Sequence, residues 1–211
     1  GGMFSYHSIN ATTAALSIFT PVTGATTPNK IAVSPNGKYI LTYKSANSID
    51  VWKIEAGTVS FQSNTGVGGI VSDLFITADG ATAIATVGPT INVMSFDSTT
   101  GVLGTPVAVG NTQSINSVAF HPDGIHFYAG STADIRAYKF DKVAGATGLG
   151  TTTFAGNGRI AVDASGKYLY TLTAMDVYRS TISTVNWTVN TPTAVIPVGC
   201  STTSFGLAAS H

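Results

Sequence analysis

A four-residue turn ending in glycine returns along this chain at a nearly constant interval. SPNG ends at Gly37, TADG at Gly80, HPDG at Gly124 and DASG at Gly166, in steps of 43, 44 and 42 residues. In such turns the polar residue supplies local hydrogen bonds and the glycine supplies positive φ. A period of this length marks a fold built from one supersecondary unit used several times, because each unit buries its apolar face only against a neighbour.

The flanks repeat as well. Apolar residues stand six and four positions before each glycine: Ile31 and Val33, Leu74 and Ile76, Val118 and Phe120, Ile160 and Val162. After the turn come KYILTY, ATAIATV, IHFYAG and KYLYTLT, then a third run, IDVWK from Ile49, INVMS from Ile91, IRAYK from Ile135 and MDVYR from Met175. A weaker fourth run follows in TVSFQS and TPVAVG. Short alternating segments bounded by turn residues read as strands, and no apolar spacing of 3.6 persists over three turns. Four strands per period of about 40 to 45 residues predict an all-β fold, a β-propeller, as a single domain over residues 1–211.

The chain ends extend the frame. Phe4 to Leu16 aligns without gaps to Ile91 to Leu103, and FGLAASH aligns with IAVDASG, which puts His211 at a turn-glycine position. Five blades of about four antiparallel strands are therefore expected, with the closing blade shared by N- and C-terminal strands, so that sheet edges are satisfied. The second strand of that blade has no counterpart, so it has three strands or the chain is part of a longer propeller. The opening Gly-Gly reads as a cut point or scar, and no signal-peptide pattern follows it.

The patterns IAVSPNGKYI, SVAFHPDGIHFYAG and RIAVDASGKYLY, with YKFDKVAGATG and MSFDSTTGVLG after the third strands, resemble the YVTN-type and lactonase-type propeller families. More loosely they are similar to WD repeats, whose His and Trp-Asp signatures are missing here. The resemblance implies the fold and says little about function, since propellers host enzymes, lectins and scaffolds. No catalytic residue of the lactonase family matches a position here.

Composition narrows the partners. Charged residues make up 9% of the chain, ten basic against ten acidic, where about 25% is usual. No basic block exists to supply nucleic-acid affinity, and no apolar run approaches the roughly 20 residues of a membrane-spanning helix. No nucleic-acid partner and no membrane insertion are expected. A protein partner or larger assembly is expected, with carbohydrate as an alternative. The low-charge, Thr/Ala/Gly-rich texture points to a virion, phage or cell-surface structural component, with the cytoplasm as the other location. Cys200, the single cysteine, reads as a buried structural thiol. Asn10-Ala-Thr12 and Asn186-Trp-Thr188 match the glycosylation sequon, a match that arises easily by chance in a Thr-rich chain.

Asp79, Asp123, Asp97 and Asp141 belong to turns and have a structural explanation. The other face collects the loops before first and third strands, with Lys30, Asp50, Asp73, Asn92, Arg136, Arg159 and Asp176 as candidate partner- or ligand-binding residues. Asp50, Asn92, Arg136 and Asp176 align in one column of four repeats, a partial ring on that face. His121 and His126 stand five apart across a hairpin turn, with no third metal ligand apparent. No Gly-x-Ser-x-Gly elbow, Ser/His/Asp set or channel-facing acid pair emerges, so no catalytic residue, metal or cofactor is assigned. Trp52, Tyr138 and Tyr178, in a column with His7 and Met94, are expected to pack between sheets rather than stack on sugar. The favoured function is a non-enzymatic binding or scaffold module; a lactonase-like hydrolase and a multivalent lectin are the alternatives.

Overall fold

The computed structural model describes residues 5–7, 12–13, 15–16, 20–22, 28–44, 47–110, 113–141, 145–154, 158–173, 176–191 and 193–197. The C-terminal first strand expected at 205–211, Cys200 and Asn10 lie outside the described residues. The described elements are all strands: β1 (Ser5–Tyr6), β2 (Thr20–Pro21), β3 (Lys30–Val33), β4 (Tyr39–Tyr43), β5 (Ser48–Glu55), β6 (Thr58–Gly66), β7 (Val71–Ile76), β8 (Thr82–Val87), β9 (Thr90–Asp97), β10 (Val102–Leu103), β11 (Val107–Gly110), β12 (Ser117–Phe120), β13 (His126–Gly130), β14 (Asp134–Asp141), β15 (Gly145–Thr153), β16 (Arg159–Val162), β17 (Tyr168–Leu172), β18 (Asp176–Thr181) and β19 (Thr193–Pro197).

Three sheets are four-stranded meanders, β3-β4-β5-β6, β12-β13-β14-β15 and β16-β17-β18-β19. A five-stranded sheet runs β10-β9-β8-β7, with β11 also paired to β9. This is the blade plan of a β-propeller. Ser5↔Pro21 and Tyr6↔Thr20 in the β1-β2 pair correspond one for one, under the N-terminal alignment, to Asn92↔Ala108 and Val93↔Val107 in β9-β11. β1 and β2 therefore pair as the third and fourth strands of a blade do.

The chain divides into two compact units, residues 1–84 with 94–106, and residues 85–93 with 107–211. In the first unit β3 packs against β7. Val22 packs with Ile40 and Trp52, supported by Ile54 and Val59. Tyr39 sits edge-on to Phe96, and its hydroxyl donates to the Thr99 carbonyl (2.9 Å). In the second unit β12 packs against β16. There Ile160, Val162 and Leu169 of one sheet bury against Ala119, Tyr128, Ile135 and Ala137 of its neighbour. Each such aliphatic side chain contributes about 1.5–3 kcal/mol of burial.

The repeated turn has the same geometry four times. Gly37, Gly80, Gly124 and Gly166 have φ of 68°, 68°, 69° and 70°. Each glycine amide donates to the carbonyl three residues earlier, in Ser34, Thr77, His121 and Asp163 (2.8–3.0 Å). A bracket around it closes the hairpin, the Ser34, Thr77, His121 and Asp163 amides donating to Tyr39, Thr82, His126 and Tyr168. Side chains then fasten the bend: Ser34 Oγ donates to Asn36 Oδ1 (2.7 Å) and Thr77 Oγ1 to Asp79 Oδ1 (2.6 Å). In the fourth turn the roles exchange, Ser165 Oγ donating to Asp163 Oδ2.

A further glycine, Gly101, follows the third strand of the second sheet with φ 76°, and a Cβ there would lie 2.3 Å from Tyr39 Cε1. Gly37 has open space around it. Chemical denaturation of Gly37→Ala should show a loss of about 1 kcal/mol, the left-handed backbone alone. Gly101→Ala adds a ring collision and should lose about 3 kcal/mol; equal losses would contradict the packing of Tyr39.

Candidate functional site

Lys30 and Arg159 open β3 and β16, paired with Tyr43 and Leu172, and both are half-buried. They are equivalent positions. Asp73 in β7 and Ser117 in β12 occupy the same place in their repeats, one residue before Leu74 and Val118. Asp73 is half-buried and accepts from the Leu74 amide (3.1 Å). Ser117 is buried: its hydroxyl donates to the Gly158 carbonyl (2.7 Å) and accepts from the Ile160 amide (2.9 Å), strapping β12 to β16.

The third-strand column lies inside strands rather than in the loops before them. Asp50 (8% exposed) is paired with Thr42, and Asn92 (5% exposed) with Ala108. Burial pushes the Asp50 carboxyl above its ordinary value, with Lys44 partly offsetting the shift. Arg136 is half-buried, its Nε donating to Asp134 Oδ2 (3.0 Å). Asp134 also accepts from Ser131 Oγ (2.6 Å), whose oxygen in turn receives the Ala133 and Asp134 amides.

Asp176 does not belong to that column. The pairs Tyr39↔Lys53, His126↔Lys139 and Tyr168↔Thr181 make Thr181 the counterpart of Lys53, so Tyr178 stands where Asp50 and Arg136 stand. Asp176 is the counterpart of Asp134 instead. Both show the same local bonds: Thr173 Oγ1 donates to the Asp176 carbonyl and accepts its amide (3.1 and 3.0 Å), as Ser131 Oγ does for Asp134 (3.2 and 2.9 Å). Ser180, buried, stands where Trp52, Met94 and Tyr138 stand. Tyr178, the third member of the expected aromatic column, is half-buried and meets Phe154 edge-on at 5.2 Å. Trp52, Met94 and Tyr138 are buried; Trp52 donates to Thr42 Oγ1 (2.9 Å) and Tyr138 stacks on Phe127 at 5.0 Å.

Asp79, Asp97 and Asp123 brace their turns as expected, but the HPDG turn gathers more than sequence reasoning found. Asp123 lies between two histidines, with Oδ2 2.7 Å from His126 Nδ1 and Oδ1 3.2 Å from His121 Nδ1. Its Oδ1 also accepts the Ile125 and His126 amides (2.9 and 3.0 Å). Burial opposes the charge, yet the His126 bond, these amides and the His121 charge outweigh it and hold the Asp123 carboxyl down at about 2. His121 Nε2 meets the Gly166 carbonyl at 3.1 Å, and Trp187 stacks flat on His126 at 3.6 Å. Among the described residues no group of three or more His, Cys, Asp or Glu side chains is arranged to hold a metal ion. Asp97, in the turn after β9, is likewise held below its usual range, chiefly by the Thr100 hydroxyl.

Two consequences are measurable. Arg136→Ala leaves the Asp134 carboxylate buried beside Ser131 without its cation, and should cost about 1–3 kcal/mol in chemical denaturation. An unchanged midpoint would mean the pair contributes nothing. Because the folded-state pKa of Asp123 lies below the unfolded value, its contribution is complete above about pH 4 and lost as pH falls toward about 2. Thermal melts of Asp123→Asn should therefore fall less steeply than wild type across that window; parallel curves would contradict the bonding described.

Comparison with known proteins follows the repeat. The family described as "WD domain, G-beta repeat" matches residues 104–138, which run from the end of β10 through the HPDG hairpin to Tyr138. No curated protein matches the chain. A solved structure of a candidate 6-phosphogluconolactonase from Bacteroides uniformis is similar with a TM-score of 0.76 and 17% identity, over 94% of this chain and 67% of that one. A second candidate 6-phosphogluconolactonase, from Bacteroides fragilis, gives 0.70 and 16% over 93% and 66%. Hydrazine synthase from Kuenenia stuttgartiensis gives 0.61 and 18% over 85% and 51%. The chain thus spans between half and two thirds of the length of these structures. With four meandering sheets, a WD-repeat match and these neighbours, the chain has the fold of a WD-repeat-like, lactonase-type β-propeller.

Proposed function

We propose that this chain is a non-enzymatic propeller module that binds a protein partner, as part of a larger assembly. Its contact residues are Lys30 and Asp73 in the first unit and Arg136, Arg159 and Asp176 in the second, all half-buried; Asp50 and Asn92, which are buried, are not among them. The observation that carries the reading is how the polar side chains at these positions are arranged. Asp73 accepts the Leu74 amide, and Arg136 donates to Asp134, which Ser131 holds in turn, so these side chains are braced by their own strands and loops. WD-repeat propellers are scaffolds whose variable strand-end residues meet partners while the sheets stay constant. We also propose that residues 1–211 form one domain, with a five-blade ring as its closed form. A virion or cell-surface location rests on the low charge alone.

A second reading is favoured by the neighbours from Bacteroides, whose names point to hydrolysis of a phosphorylated sugar lactone. It would need an acid or base placed for water attack, and Asp73 is the acid that stands among the first strands.

One experiment separates them. Tagged wild type and the charge-reversed Lys30→Glu/Arg159→Glu variant are used for affinity capture from the source organism, with Lys53→Glu, in the exposed Lys53–Glu55 pair, as a control. A partner that survives the control and is lost with the double variant supports the module. Identical captures from all three count against it, as does turnover of 6-phosphogluconolactone that Asp73→Asn abolishes.

A further inference from the structure

The cluster around the HPDG turn is built from two distant stretches of chain. His121, Asp123 and His126 come from the hairpin joining β12 to β13, and Trp187 from the loop between β18 and β19. That loop is closed at its base by the Ile182↔Val189 bridge and across its neck by Ser183 N to the Thr188 carbonyl (2.9 Å). Inside it the Trp187 amide donates to the Ser183 carbonyl (2.9 Å), and Asn186 Oδ1 accepts from Thr188 Oγ1 (2.8 Å). Val185 at its tip is 91% exposed.

Trp187 has φ 62°. A bulky residue pays for a left-handed backbone, about 1–2 kcal/mol, so contacts of its side chain must hold it there. Those contacts include the apolar cluster that Ile182 and Val189 join, and two imidazoles: His126 lies parallel to the indole, with 3.6 Å between ring centroids and 9° between planes, and His121 meets it edge-on at 5.1 Å.

The bonding around the two rings gives them different roles. The Asp123 amide donates to His121 Nδ1 (3.2 Å), and His121 Nε2 meets the Gly166 carbonyl (3.1 Å). His126 Nδ1 donates to the Asp123 carboxylate, so the next proton goes to Nε2 of a ring lying flat on an indole. A cation on the face of a tryptophan is attracted by the ring quadrupole, more strongly when desolvated. His126 is buried.

We propose that His126 is a pH-sensitive latch for the 183–188 loop. Protonated, its imidazolium is gripped between the Asp123 carboxylate and the Trp187 indole and fastens the loop; neutral, it holds Trp187 by stacking alone and the loop opens more often. Histidine is the side chain whose charge changes near neutral pH.

The other charged groups around His126 leave this arrangement standing. Lys139 on β14 is its cross-strand partner and opposes the added proton, with an exposed side chain. Asp163 and Lys167 flank Gly166, whose carbonyl binds His121. The Tyr128 hydroxyl, pushed up by burial and the Asp123 charge, stays neutral. The loop itself carries no charge.

The chain has two tryptophans, so 5-fluorotryptophan labelling gives two 19F resonances, assigned with Trp187→Phe. The Trp187 resonance is expected to shift with pH, to stop shifting in His126→Gln, and to keep shifting in His121→Gln. Hydrogen exchange at the Val185 and Trp187 amides, divided by intrinsic rates, is expected to slow about three- to tenfold from pH 8 to 5.5. A flat Trp187 resonance overturns the latch. So does a titration that survives His126→Gln, or one that leaves loop exchange unchanged, since the ring would then titrate without fastening anything. An unchanged Trp52 resonance establishes that each variant is folded.

Discussion

The left-handed glycine at the end of each first-strand hairpin is the constraint on which the other contacts depend. With Gly37, Gly80, Gly124 and Gly166 all near φ 70°, the bend has one shape, and the amide three residues earlier always closes on the residue two beyond the glycine. That fixes the register of first against second strand. Register in turn decides which side chains share a face, because successive residues point to opposite sides. Ile160 and Val162 bury against Ala119 and Tyr128 only because the HPDG and DASG turns deliver both hairpins in the same phase. A different turn would keep the strands and lose the stacking.

How much of this was legible depends on what the repeat could reveal. The turns, the first and second strands and the N-terminal β1-β2 pair follow from alignment alone, and their registers agree with it. The third strand of the fourth repeat was misaligned by two residues. The cause is physical: a strand repeats every two residues, so a slip of two keeps every apolar side chain on its proper face and leaves hydrophobic pattern blind. A polar signal was present, in Ser131-x-x-Asp134 and Thr173-x-x-Asp176, whose hydroxyl-to-backbone bonds superpose once those residues are matched. Trp187 against His126 was beyond reach, since nothing local in either segment encodes a contact sixty residues apart.

A chain with so few charges must obtain directional bonds elsewhere, and it uses hydroxyls. Ser34, Thr77 and Ser165 donate within the repeated turn, Ser131 and Thr173 brace the entry to the third strands, and Ser117 bridges two sheets. These groups are small enough to sit among buried side chains and cheap to desolvate beside an ion. The acids at the two best-braced sites have matched partners: buried Asp134 takes Ser131 and Arg136, and the more exposed Asp123 takes His126 and two amides. The low charge count thus goes with a fold fastened by hydroxyls.

The opening residue of the first strand shows where the scaffold stops dictating side chains. In the third sheet this position is Ser117, and its hydroxyl both donates to Gly158 and accepts from Ile160, so the side chain is part of the frame. In the other repeats the same position is Lys30, Asp73 or Arg159, three side chains that share neither size nor charge sign. The backbone pairings Lys30↔Tyr43 and Arg159↔Leu172 are equivalent whatever those side chains are. A position that takes a serine, a lysine, an aspartate or an arginine in one repeated frame is fixed by its backbone pairing and not by the size or charge of its side chain. The repeat therefore sets where the side chain stands, and the turn behind it, not the residue itself, sets the register of the strand it opens.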